Sequence, residues 1–221
     1  MRYFPITFVF EILCFLFCVV SYFIKRSSLI KLFIPFLLLT VCVEFIGLRG
    51  IKLQYRFIMY NAFLILEFIF YALIFSIHLR RPILKKITLS FIPVIVLVAV
   101  INTLFLQGFD KNFASYTSLF GSFFIVLFSC FYFYESIQPD YVDQQLSRQP
   151  FFWICSGLLI FYLGSVIVNA LFEYLIYSDL KSQGIQIYLI IVHSLNGILY
   201  TSFCIGFYLC RNEKKTYSLQ S

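Results

Sequence analysis

Nine polar or ionisable residues stand inside or at the edges of long apolar runs: Glu11, Glu44, Asn61, Glu67, Asn102, Asn169, Glu173, His193 and Asn196. An ionisable side chain at the centre of a membrane helix costs about 2.5–3.5 kcal/mol on insertion scales, so each needs a physical reason to be there. Carboxylates, an imidazole and amides brought together could hold a polar ligand, coordinate a cation or exchange a proton. Spacing favours convergence on individual helices. Asn169 and Glu173 are four apart, His193 and Asn196 three apart, Asn196 and Tyr200 four apart, and Tyr60 and Glu67 seven apart, so each pair shares a face. The candidate ligand-binding set is therefore Glu11, Tyr60, Asn61, Glu67, Asn102, Asn169, Glu173, His193 and Asn196. The competing role is interhelical hydrogen-bond glue, worth about 0.6–2 kcal/mol per contact, with Glu67 protonated against an Asn or Tyr.

Catalytic arrangements are not evident. The chain has two histidines and lacks H-E-x-x-H, G-x-S-x-G and a glycine-rich phosphate loop. His193 and Ser194 are adjacent, which on a helix turns them about 100° apart and rules out a dyad. Intramembrane hydrolysis with Glu67, His193 and a water is conceivable, but nothing demands it. The seven cysteines, Cys14, Cys18, Cys42, Cys130, Cys155, Cys204 and Cys210, lie within apolar runs or at their ends and have no paired loop spacing. They read as small packing residues, and no metal or cofactor is expected.

The elements that must position these groups are membrane helices. The chain of 221 residues is 62% hydrophobic and only 12% charged, with a mean hydropathy of +0.93, far from the balance of a water-soluble domain. A spanning helix takes about 20 mostly apolar residues, and seven such runs occur, at 4–23, 32–48, 57–77, 87–106, 113–134, 151–173 and 185–209. The fold class is all-α: a polytopic seven-transmembrane helix bundle, one domain over 1–221 with no soluble domain. A signal peptide fits the first run poorly, because it holds Glu11 and is followed by bulky residues where a cleavage site needs small ones. Pro35 and Pro93 fall inside the second and fourth spans, where each would kink the helix or open a local gap.

Basic residues orient the chain. Pooling alternate loops puts eleven of the seventeen Lys and Arg residues on one side, including Lys25, Arg26, Arg80, Arg81, Lys85 and Lys86. Retention of Lys and Arg in the cytoplasm then places the N-terminus outside and the C-terminus inside, although Arg49, Lys52 and Arg56 oppose it. The net charge of +7 follows from the same rule and calls for no nucleic-acid partner; contact with anionic lipid would be incidental. In this topology the nine polar residues fall in the outer half or near mid-depth, while the inner halves offer Ser, Thr, Cys and Tyr. A cavity open to one side above an apolar floor is the expectation. The polar stretch 135–150 reads first as a solvated connector; it and the tail 211–221 are the places where a cytoplasmic partner could grip.

Three stretches, Tyr60-Asn61-Ala62-Phe63 through Glu67-Phe68-Ile69-Phe70-Tyr71, Phe152-Trp153 through Leu163-Gly164, and His193 through Asn196 with Tyr200, resemble the seven-helix membrane modules of Bacteroidetes that stand in front of histidine-kinase domains or occur alone. The resemblance implies a sensory module of the bacterial inner membrane with a small-molecule or lipid ligand. Because the chain ends about a dozen residues after the seventh span, it also implies a separate signalling partner. A proton- or cation-coupled carrier or channel using Glu67 and Glu11 is the rival reading, and a membrane-embedded lipid enzyme the third.

Overall fold

Apolar runs in lipid must satisfy every backbone N–H and C=O internally, and an unbroken helix does this within one segment. The structure, a computed structural model, describes residues 6–49, 52–106, 114–138, 146–177 and 181–210; the side chains of 172–186 lie outside the described residues. Among them are seven helices: α1 Ile6–Ile24, α2 Ser28–Leu48, α3 Leu53–His78, α4 Pro82–Ile101, α5 Ser115–Ser136, α6 Pro150–Tyr177 and α7 Lys181–Cys210. Each contains a stretch long and apolar enough to cross a membrane. Only 22–39% of each apolar window is buried inside the protein, so most of its surface is left for lipid. The fold is all-α, and the chain is a multi-pass membrane protein.

Several helices overrun their apolar stretches. α2 starts at Ser28, ahead of the run that begins at residue 32, and α7 starts at Lys181, ahead of 185. Helical bonding continues beyond the apolar runs, so the backbone stays paired there. Pro82 opens α4 directly after an extended Arg81, where its missing N–H has no acceptor to lose. α2 and α4 continue through Pro35 and Pro93. α4 gives way to a wide π-helical turn over Asn102–Leu106.

The chain forms two compact units. Unit 1 comprises Met1–Val41 and Gln144–Ser221, and unit 2 Cys42–Asp143. In unit 1, α6 and α7 pack closely because glycines remove the side chains that would hold them apart. A Cβ at Gly164 would sit 2.6 Å from the Leu195 side chain, one at Gly157 would sit 2.7 Å from Ser202 Cβ, and one at Gly206 would sit 2.9 Å from the Pro150 carbonyl oxygen. Gly157 and Gly164 are seven apart, as are their partners Ser202 and Leu195, which is the heptad seam of an antiparallel helix pair. Phe33 of α2 stacks edge-on against Phe203 and Phe207 of α7, each at 5.3 Å.

Unit 2 is built around Phe128 of α5, which lies 5.9 Å from each of Phe68, Phe75 and Phe91. Phe91 and Phe124 are closer still, at 4.2 Å. Lipid tails are as apolar as these rings, so shape and aromatic geometry, not exclusion of water, hold the cluster together.

Candidate ligand site

In unit 1 the buried face of α1 carries Glu11, Cys14, Cys18 and Ser21, all at helical spacing and all capable of hydrogen bonding. The face packs on α7. Phe10 lies against Gly197, and the thiols of Cys14 and Cys204 lie side by side, so α1 and α7 run alongside each other in the same direction. Glu11, 6% exposed, is therefore level with the turn of α7 around Gly197, beside Asn196 and one turn beyond His193. His193 Nδ1 is buried and has no hydrogen-bond partner among the described residues. Asn196 folds back and donates from Nδ2 to the Val192 carbonyl at 2.9 Å. Nearer the start of α7, the Tyr188 hydroxyl donates to Asn169 Oδ1 of α6 at 3.3 Å. Glu173, one turn further along α6, has its side chain outside the described residues.

The other candidates belong to unit 2. Tyr60 donates to Glu44 Oε2 at 3.1 Å and lies directly over Gly47, leaving no space there for a Cβ. Asn61, 1% exposed, accepts the Ala114 N–H at 2.9 Å and so fixes the start of α5 from the side of α3. Asn102, 2% exposed, occupies the first position of the π turn and donates from Nδ2 to Thr117 Oγ1 of α5 at 3.2 Å. Glu67 is half-buried on α3. Five of the nine sequence candidates, Glu11, Asn169, Glu173, His193 and Asn196, thus lie in unit 1, and Tyr60, Asn61, Glu67 and Asn102 lie in unit 2.

No protein-family model, curated protein or solved structure matches this chain. Its chemistry must be argued from its own side chains.

Two features escaped the sequence. Glu135 does not open a solvated connector: α5 extends to Ser136, and Glu135 is 3% exposed. Its two carboxylate oxygens accept the backbone N–H groups of Arg80 and Arg81, each at 2.7 Å, and so close the α3–α4 turn. Arg81 completes the arrangement by donating to Gln138 and lying over the Tyr134 ring. Residues 139–145 of the expected partner-binding stretch lie outside the described residues. The second feature is the thiol contact. Cys14 and Cys204 are 190 positions apart, and no local spacing announces their pairing. Among the described residues no group of three His, Cys, Asp or Glu side chains is placed to hold a metal ion.

Proposed function

We propose that this membrane protein is a receptor-like sensory module that binds a small polar molecule or lipid in unit 1, with contacts drawn from Glu11, Asn169, Glu173, His193 and Asn196. Tyr60, Asn61, Glu67 and Asn102 are proposed as a second set of polar contacts on unit 2. One observation carries the reading: a buried imidazole nitrogen of His193 without a hydrogen-bond partner. A buried polar atom left unmatched costs about 1–3 kcal/mol, and a ligand group that bonds it recovers that cost. Binding would shift α6 and α7 between two packings, read by a separate partner at the cytoplasmic loops.

Support for the setting comes from the eleven-to-six distribution of basic residues, which favours an outer N-terminus and a cytoplasmic C-terminus in the bacterial inner membrane. The resemblance to kinase-linked seven-helix modules agrees with a signalling role. A proton- or cation-coupled carrier is the second reading, favoured by the run of polar side chains along the buried face of α1 from Glu11 to Ser21. A carrier would pass protons across liposomes, with loss of flux on Glu67→Gln; a receptor would not.

The test is a thermal-shift screen of metabolites and lipids on the purified chain. A binding compound should raise the melting temperature of the wild type, and His193→Leu should abolish that rise while the unliganded protein melts as before or higher. A full ligand shift in His193→Leu would remove the histidine from the site.

A further inference from the structure

Seven serines in the helices, at positions 76, 90, 122, 129, 136, 156 and 194, hydrogen-bond a carbonyl three or four residues earlier. This is the usual way a hydroxyl is satisfied inside a membrane helix. Ser21 departs from it. It is 1% exposed, and its Oγ has no hydrogen-bond partner among the described residues.

One turn along the same face stands Lys25, whose backbone N–H donates to the Ser21 carbonyl at 3.0 Å. The Lys25 Nζ is likewise buried without a hydrogen-bond partner among the described residues. Glu11 is the one acidic residue of unit 1 whose side chain is described, and it lies fourteen positions back on the same helix, about 21 Å away at 1.5 Å per residue. A buried ammonium with no counter-ion among the described residues is costly, and pairing with an anion would relieve that cost.

The direction of this face is fixed by Cys18, whose thiol donates to the Ile30 carbonyl at 3.9 Å. The side of α1 that bears residues 18, 21 and 25 and packs on α7 therefore also borders the first turn of α2. There the N–H groups of Ser28, Leu29 and Ile30 precede the helical ladder, which opens with Lys31 N–H to the Ser27 carbonyl. These amides form the positive end of a 21-residue helix.

We propose that the α1–α2 turn is a phosphate-binding site, with the Ser21 hydroxyl, the Lys25 ammonium and the first amides of α2 as its donors. A phosphate offers several acceptor oxygens to match donors arriving from three directions, which a single carboxylate does less well. The group can come from the headgroup of an anionic phospholipid or from free phosphate. The depth of the turn, at the ends of two apolar spans, suits the headgroup. Such a site is selective, unlike the diffuse attraction expected of basic loops alone.

The experiment uses the full chain, delipidated in a maltoside detergent. Phosphatidylglycerol, phosphatidylcholine and inorganic phosphate are titrated separately, with native mass spectrometry and melting temperature as readouts. Wild type should retain one phosphatidylglycerol in preference to phosphatidylcholine. Ser21→Ala and Lys25→Met should each weaken that binding about tenfold, while the exposed Arg26→Gln should change it less than about threefold. Protection by inorganic phosphate without lipid assigns the site to the free ion, and protection by phosphatidylglycerol alone assigns it to the headgroup. If Lys25→Met does not fold, Ser21→Ala carries the comparison with Arg26→Gln. The proposal is overturned if Ser21→Ala binds as wild type, if Arg26→Gln loses as much as Lys25→Met, or if neither phosphate source binds.

Discussion

The carboxylate of Glu135 shows how one buried charge can decide a turn. Leu79 and Arg81 are in extended backbone between α3 and α4, which interrupts the helical ladder, and Glu135 supplies acceptors for the Arg80 and Arg81 N–H groups. Replacing it with Gln keeps the size but leaves a single oxygen, with an amide NH2 facing one of the two donors. Glu135→Gln should therefore cost about 2 kcal/mol, the scale of a hydrogen bond to a charged group, and Glu135→Ala more. Thermal melting in detergent measures this, and a loss under about 0.5 kcal/mol for Glu135→Gln would show that the turn closes without it. The sequence places Glu135 at the end of an apolar run, where a carboxylate reads as solvated; its partners are backbone groups 54 and 55 positions away, which no residue type reveals. The same blindness covers Asn61 and Asn102. Both are recognisable as polar residues in apolar runs, yet the N–H and hydroxyl that they bind on α5 become visible only once the helices pack.

At the scale of the helix, existence was legible and contact was not. All seven helices follow from length and hydropathy, because lipid leaves a polar backbone no other continuous solution. The Gly157/Gly164 spacing can be seen in the sequence, but the residues that fill the space, Ser202 and Leu195, are set by how α6 and α7 align. Gly164→Val would drive a branched side chain into Leu195, with an overpacking cost of about 1–3 kcal/mol. Leu195→Ala in the same chain should return part of that stability, since it vacates the space the valine needs. The double-mutant melting series decides this, and a Gly164→Val protein as stable as wild type, or one that Leu195→Ala does not rescue, would contradict a close seam. The π turn after α4 is another contact effect. Nothing in Asn102-Thr103-Leu104-Phe105-Leu106 specifies a wider turn, and it coincides with the Asn102 bond to Thr117.

For the whole molecule, composition and seven apolar runs sufficed to read a multi-pass membrane protein, whereas the division of the chain into units with a boundary inside α2 had no counterpart in its charge or hydropathy. An odd number of crossings would put the two ends on opposite sides, and in the proposed orientation the end after Cys210 is the cytoplasmic one. A reporter fused after Arg211 should be active inside the cell; activity on the outer side would reverse the proposed orientation and turn the His193 end of unit 1 toward the cytoplasm. The central claim concerns that histidine, and the chain contains a built-in reference for it. His78, the other histidine, donates from Nδ1 to the Ile74 carbonyl at 2.8 Å, a bond unrelated to any ligand. Nitrogen NMR of the ring-labelled protein, assigned with a His78→Gln variant, follows both imidazoles as a stabilising compound from the screen is added. The account predicts that the His193 Nδ1 resonance moves on binding while those of His78 stay in place; a ligand that binds without moving His193 would contradict it.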